Sequence, residues 1–511
     1  MQTTTPKPVQ RVVIAGGGTA GWMVAACVGK TFGRKLDIKL VESDEIGTVG
    51  VGEATIPTLL TFHELLGINE QEFMAATQAT FKLGILFEHW RNLNEHYIHS
   101  FGITGQDHWT AGFQHFWHKG RERGIAGDYG DYCLELRAAQ ESRFAHLPRA
   151  GMNYAFHMDA SLYARFLRLK AEEWGVQRIE GKISQVLQDG ASGDVTGLKL
   201  DKGELIEGDL FIDCTGFRAL LLGETLGVGL EDWSHWLPCD SAVAVQTASV
   251  GEPVPYTRSI AHPFGWQWRI PLQSRVGNGL VFASKYLSDD EAKAVLMRNI
   301  VGEPLVQPRV IKFKPCQRHR TWEKNVVGIG LTSGFLEPLE STSIHLIQRG
   351  VVKLMQCFPS GGIHESDRAE YNAQIRTEVE HIRDFIILHY AVTNRTDSEL
   401  WLHCRSMELP PSLAHRIQMF RESGRAFRVA NELFAENSWI QVMLGQGIHP
   451  ESHHPTADLM GDAELGGFLG EISGRVKHLL AQLPQHGDYL RSYCPAQPTA
   501  TKATASMKAP A

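Results

Sequence analysis

The chain has 511 residues, 43% of them hydrophobic and 21% charged, with a net charge of −7 and a pI of about 6.4. That is too long for one minimal domain, ordinary in composition for a soluble globular enzyme, and without the basic surplus that a nucleic-acid or anionic-membrane partner needs. Eight scattered cysteines form no CxxC pair, so neither a zinc site nor a disulfide framework is expected, and no metal is assigned.

In chain order, a polar N-terminus without the pattern of a signal peptide leads straight into the β-branched run Arg11–Ala15, which reads as a buried parallel strand. A glycine turn follows, then a helix from Trp22 to about Lys30 and a second strand over Asp37–Val41. Residues 56–95 read as helical, with apolar spacing through Leu59, Leu60, Phe62, Leu65 and Leu66. Residues 96–150 have weak periodicity and many His, Gly and aromatic residues, so an irregular, substrate-lining segment is expected there.

Ser161–Trp174 is helical. Residues 180–213 suggest a small meander with turns at Asp189-Gly190 and Lys202-Gly203, ending in the buried strand Asp209–Asp213. Residues 240–285 suggest a larger sheet, and 342–395 and 408–485 are mostly helical. From about Pro495 the composition predicts disorder. No apolar run reaches bilayer length, and the expected address is the cytoplasm.

Gly16, Gly17, Gly18, Thr19, Ala20 and Gly21 fit G-x-G-x-x-G directly between a strand and a helix. There the first glycine permits a tight turn, the second lets backbone approach pyrophosphate, and the third lets helix and sheet pack closely. The helix N-terminus adds N–H donors and a positive dipole. Glu42 ends the second strand roughly 20 residues on, where a ribose-binding acid is expected. No second fingerprint follows, since Gly328-Ile329-Gly330 lacks the correctly spaced third glycine. One dinucleotide site favours a single bound FAD over a two-nucleotide reductase.

Gly265-Trp266-Gln267-Trp268-Arg269-Ile270-Pro271 then matches the G-W-x-W-x-I-P motif, and the chain resembles the flavin-dependent halogenases, the family of the tryptophan and indole halogenases. Supporting segments occur in family order: GGGTAGW at 16–22, GVGEATIP at 50–57, FKLG at 81–84, HSFG at 99–102, DCTGFR at 213–218, FLEPLEST at 335–342, RDF at 383–385 and NRTD at 394–397.

The resemblance implies an α/β fold: an FAD-binding, doubly wound, Rossmann-like domain of the flavin monooxygenase type, with a β-sheet insertion and a mostly helical C-terminal region. The core would span 1–345, with a substrate-lining insertion at about 85–150 and a sheet at about 180–285. Residues 346–494 would complete the substrate site, and 495–511 would be a disordered tail.

The resemblance also implies chemistry. FADH2, supplied by a separate NAD(P)H flavin reductase, reacts with O2, and chloride or bromide then yields hypohalous acid. Cofactor contacts fall to Gly16, Gly18, Thr19, Ala20, Gly21, Glu42, Glu53 and Ala54. Thr342 and Ser343 would hold the halide through backbone amides; the family more often has glycine at 343, and serine keeps the N–H. Ser341 would couple flavin and substrate sites.

Trp266 and Trp268 would form a wall that prevents direct oxygen transfer to substrate. Lys82, in an apolar setting, would handle hypohalous acid, because a shielded amine is easily made less basic. Glu340 would stabilise the cationic ring and help remove its proton, whereas Glu337 is expected to be a solvated or ion-paired glutamate. His99 and Phe101 would sandwich a flat ring.

Tryptophan halogenases grip the amino-acid part of their substrate with a C-terminal segment that typically includes a tyrosine pair. Here the corresponding stretch, Asn431–Gly447, is shorter and has Trp439-Ile440 where that pair would lie. Glu436 and Asn437 are better read as capping a turn than as a replacement grip. The expected substrate is therefore a free indole-type compound, with free tryptophan as the alternative. An aromatic hydroxylase and a non-catalytic flavin-binding protein rank lower. The oligomeric state stays open, homodimer included.

Overall fold

The computed structural model describes residues 7–45, 52–147, 151–359 and 361–496. Positions 50 and 51 of the GVGEATIP segment and the tail from 497 lie outside them. Among the described residues no helix is long and apolar enough to cross a membrane.

The first strand, Arg11–Ala15, is apolar on both faces and lies inside a six-stranded sheet. Parallel neighbours are Asp37–Glu42 on one side and Leu210–Asp213 on the other. Gln177–Glu180 and Val326–Gly328 extend the parallel ladder, and Trp322–Glu323 closes one edge antiparallel. A chain that leaves its first strand towards both edges is doubly wound, with its crevice at the carboxyl ends of the central strands. The expected α/β class is observed.

Helix Thr19–Phe32 starts three residues earlier than its sequence suggested and is buried continuously from Gly21 to Gly29. It is apolar all round because it packs between the sheet and helix Ala160–Glu173.

The meander is a three-stranded antiparallel sheet of Ile183–Gln188, Val195–Leu200 and Leu205–Glu207. A separate seven-stranded sheet runs in the order Arg309–Lys312, Ser241–Ala248, Arg275–Phe282, Gly265–Pro271, Thr257–His262, Gly84–Glu88 and His96–Ser100. It thus carries both the tryptophan pair and His99. Long helices, including Ser343–Gln356, Glu365–Ala391 and Asp462–Gln482, make up most of the C-terminal part.

Two local expectations fail. Residues 56–95 are helical only over Thr58–Leu66 and Glu70–Thr77. Gln78 turns into the left-handed region at φ 55°, and the chain continues as strands Thr80–Lys82 and Gly84–Glu88. Phe81, Leu83, Ile85 and Phe87 are all fully buried, a period-two pattern that the helical reading passed over.

Residues 96–150 are not irregular throughout. They contain strand His96–Ser100 and helices Phe113–Glu122 and Leu134–Gln140. Phe113, Phe116 and Trp117 form one helical face that packs against Leu465 and Leu469, an amphipathic stripe that the glycines and histidines around it mask in the sequence.

Candidate active site

A cavity of about 720 Å³ opens at the crevice of the six-stranded sheet. Gly16, Gly17, Gly18, Thr19 and Ala20 line one end, and Trp266, Trp268, Ser341 and Ser343 line the other. Gly16 turns at φ +105°, where a Cβ would sit 2.4 Å from the Cys214 carbonyl oxygen. A Cβ on Gly18 would meet nothing within 4 Å, because that position faces the open cavity. Helix Thr19–Phe32 begins at this point with its free N–H groups. A cavity of this size, with a glycine turn and a helix N-terminus at one end, fits a flavin dinucleotide.

Glu42 ends its strand at the cavity, accepting from Trp22 Nε1 at 3.3 Å and from Arg178 Nε at 2.5 Å. Ala54 and Glu53 also line it, and burial pushes the Glu53 carboxyl up to about 7.

Trp266, Trp268 and Ile270 alternate along strand Gly265–Pro271, so one face of the strand presents all three to the cavity. The two indoles lie 6.1 Å apart, tilted by 57°. A Cβ on Gly279 of the neighbouring strand would sit 2.0 Å from the Trp268 ring, so that glycine makes room for the indole.

Trp266 Nε1 donates to Glu337 Oε2 at 2.7 Å, and the Tyr390 hydroxyl donates to the same oxygen at 2.7 Å. Glu337 is fully buried between neutral donors, not solvated or ion-paired as its sequence context suggested. Burial pushes its carboxyl up to about 7.

Lys82 ends a three-residue strand that pairs with Ala155–Asp159, and its side chain is fully buried. Nζ donates to the Thr55 carbonyl at 2.9 Å and to Ser341 Oγ at 2.8 Å, and lies 5.1 Å from the Phe101 ring centroid. Burial pulls the ammonium down to about 7, with the Glu340 charge acting the other way. Ser341 has φ +60°, unusual for a residue with a side chain, and this turn aims its hydroxyl at Lys82 while the residue lines the cavity.

Thr342 stands at the N-cap position of helix Ser343–Gln356, with no side-chain hydrogen bond to the helix. The Ser341–Ser343 backbone therefore stands at a helix N-terminus beside the cavity, a setting that suits an anion.

Glu340 is buried to 1% exposure. His99 Nδ1 approaches both of its oxygens, at 2.9 and 3.0 Å, and His389 Nε2 lies 2.8 Å from Oε1. The His389 contact is an ion-pair distance reached off the line of a hydrogen bond. Burial opposes ionisation of Glu340, but the two histidines outweigh it and hold the carboxyl down at about 2.

The remaining walls are aromatic. The His99 ring meets Phe385 edge-on at 5.5 Å, and Phe385 stacks on Phe434 at 3.9 Å. Phe101, half-buried, faces Lys82 rather than His99. The structure thus brings Lys82, Ser341, Phe101, Glu340 and His99 into one neighbourhood.

The chain matches the tryptophan halogenase family profile over residues 11–462. It belongs to that family. The halogenase is 34% identical to tryptophan 6-halogenase SttH of Streptomyces toxytricini, covering 96% of this chain and 98% of the relative. Among solved structures it resembles Xcc4156, a flavin-dependent halogenase from Xanthomonas campestris, at 66% identity. The TM-score is 0.95, with 96% of this chain and 100% of that one covered. BrvH, a flavin-dependent halogenase from Brevundimonas sp. BAL3, is 44% identical with a TM-score of 0.91, over 95% and 99% of the two chains. The protein is accordingly a flavin-dependent halogenase, an enzyme class that uses FADH2, O2 and halide.

Sequence reasoning missed three residues of this halogenase's site and misread a fourth, Asn437, which does not cap a turn but lies in the first turn of a helix and binds the 102–104 segment. His389 and Phe385 share helix Glu365–Ala391 one turn apart, a spacing visible once the RDF segment is placed on a helix. Asn437 and Gln441 also lie one turn apart, on helix Glu436–Gly445. Asn437 Nδ2 donates to the Gly102 carbonyl at 2.5 Å and Oδ1 accepts from Thr104 N at 3.1 Å. Gln441 Oε1 accepts from Ser100 N at 2.9 Å. Together they clamp the segment that carries His99 and Phe101, and no local pattern announces so distant a contact.

Proposed function

We propose that this halogenase acts on a free indole-type compound that lacks a zwitterionic side chain. The observation that carries the proposal is the state of the polar groups in Asn431–Gly447. Glu432 accepts from Arg416 and from Val429 N, Glu436 accepts from Arg428 N, and Asn437 and Gln441 clamp the 100–104 segment. Trp439, at the expected tyrosine position, is buried under the Arg416 guanidinium at 4.0 Å. The carboxylates of Glu432 and Glu436 and the amides of Asn437 and Gln441 are thus already engaged within the protein. Trp439 Nε1 is a buried donor without a partner among the described residues, and it cannot serve a carboxylate and an ammonium together. Phe385, Phe434, His99 and Phe101 offer aromatic surface. Desolvating a carboxylate and an ammonium without new partners costs several kcal/mol, on the order of 2–7 even for a neutral polar group.

When bound, FADH2 with O2 and halide supplies hypohalous acid. Thr342 and Ser343 hold the halide by backbone N–H, and Trp266 and Trp268 keep flavin and aromatic substrate apart. Ser341 links the flavin cavity to Lys82, which takes up or polarises the oxidant on the substrate side. His99 and Phe101 position the ring. Glu340 offsets the positive charge that develops on it and takes the proton lost from the halogenated carbon. Reduced flavin comes from a separate NAD(P)H reductase.

Free tryptophan is the alternative, favoured by the relative SttH, which is named a tryptophan 6-halogenase. Side-by-side kinetics decide: kcat/KM should be higher on indole than on tryptophan, and a clear preference for tryptophan would overturn the substrate proposal.

A further inference from the structure

Two buried glutamates three residues apart have opposite surroundings. Glu337 faces the neutral donors Trp266 and Tyr390, and burial raises its carboxyl to about 7. Glu340 faces two imidazoles and is held near 2. The difference must come from the charge that the histidines can carry, because both carboxyls are equally removed from water.

The two histidines are bound differently. His389 Nδ1 lies 2.9 Å from the Phe385 carbonyl oxygen on the same helix. A carbonyl only accepts, so Nδ1 carries a hydrogen. Nε2 is then the variable nitrogen, and it stands 2.8 Å from Glu340 Oε1. If neither atom held a proton, two lone pairs would face each other at that distance in a dry site. One proton therefore belongs to the pair. A neutral acid would have to donate along the Nε2 lone pair, and the contact is off that line. An imidazolium beside a carboxylate needs only proximity.

We propose that His389 is a positioning residue that, with hydrogen on both ring nitrogens, keeps Glu340 ionised inside the dry site, leaving its carboxylate free to accept the proton that the halogenated ring must lose. In that step the C–H bond at the halogenated carbon breaks and its electron pair restores the aromatic ring. The proton bonds to a Glu340 oxygen. No oxidant or reductant is consumed. His389 itself touches no substrate, and its Nδ1–H goes on donating to the Phe385 carbonyl.

The proposal rests on the function proposed above, but its test does not require halogenation. The charged and titratable groups facing Glu340 are Lys82, from strand Thr80–Lys82, and Tyr97 and His99, from strand His96–Ser100. His389, from helix Glu365–Ala391, completes the set. Lys82, Tyr97 and His99 are common to the wild type and a His389→Gln variant, so they cancel in a comparison of the two.

Infrared difference spectra against Glu340→Gln should show no protonated Glu340 in the wild type at neutral pH. The same difference made in the His389→Gln background should show the Glu340 carboxyl protonating at a higher pH than in the wild type, with His99 still holding part of the depression. Product formation by His389→Gln should gain an acid limb displaced upward by roughly two pH units, with activity recovered at alkaline pH; a merely structural lesion would depress all pH values alike. Should that variant fail to fold, ¹⁵N NMR of the unmutated protein at mildly alkaline pH decides. One histidine should carry hydrogen on both nitrogens and lose one in Glu340→Gln. A protonated Glu340 in the wild type at neutral pH, a Glu340 titration unmoved in His389→Gln, or no such histidine would overturn the proposal. Loss of halogenation with these signatures intact would instead count against the proposed function.

Discussion

Lys82 Nζ donates to Ser341 Oγ at 2.8 Å, and Ser341 lines the cavity that fits the flavin. This one hydrogen bond joins the two halves of the site across the chain. The amine is reached from the flavin side through a hydroxyl that sits at a helix N-terminus, while the Trp266–Trp268 strand faces the same cavity.

Glu340→Gln should lower turnover about 10²–10³-fold, the usual effect of removing a positioned electrostatic contact. The amide retains size and one acceptor but not charge, so binding of an indole should change far less than kcat. Steady-state kinetics with saturating reduced flavin check this, and a change under about threefold would assign Glu340 to structure.

The purified chain should not oxidise NADH rapidly by itself, because the sequence has one G-x-G-x-x-G fingerprint; Gly328–Gly330, which also lines the cavity, ends the strand next to the sheet edge and lacks the third glycine. Adding a flavin reductase and FAD should start product formation. NADH consumption followed by absorbance, with and without reductase, tests this; rapid consumption by the chain alone would contradict it.

Lys82 should make stability depend on pH. Its ammonium is lowered from 10.5 to about 7 by burial. Between these values the unfolded chain holds a proton that the folded chain releases, so folding stability rises with pH across the window. Below about pH 7 the cost of burying the amine is fully present. Lys82→Met removes it and should gain stability relative to the wild type at low pH, by on the order of 3–5 kcal/mol before lost hydrogen bonds are deducted. The gap should narrow towards pH 10.5. Denaturant unfolding of both proteins across this range is the check, and a pH-independent gap would mean that Lys82 titrates normally.

Much of the site was legible in the sequence because its parts are local. Gly16–Gly21, the Trp266–Trp268 alternation and Glu340–Ser343 each lie within one turn or strand, where spacing alone states the geometry. Lys82 was legible as a residue but not as a strand, since a short buried segment resembles a helix in composition until Phe81, Leu83, Ile85 and Phe87 are counted in twos. His389, Glu337 and Gln441 were not legible as site residues. Their roles depend on helix Glu365–Ala391 and helix Glu436–Gly445 folding back onto the sheet, and that docking is set by side-chain packing between segments hundreds of residues apart.

Lys82→Ala gives the most direct measurement. Brominated indole and reduced-flavin oxidation are followed in the same reaction, with FAD, a flavin reductase, NADH, bromide and indole, for wild type and variant. In the function proposed above, Lys82 acts after the flavin has reacted, through its hydrogen bond to Ser341. The variant should therefore oxidise reduced flavin at the wild-type rate and form no brominated indole by mass spectrometry. Brominated indole at the wild-type rate would remove Lys82 from the chemistry.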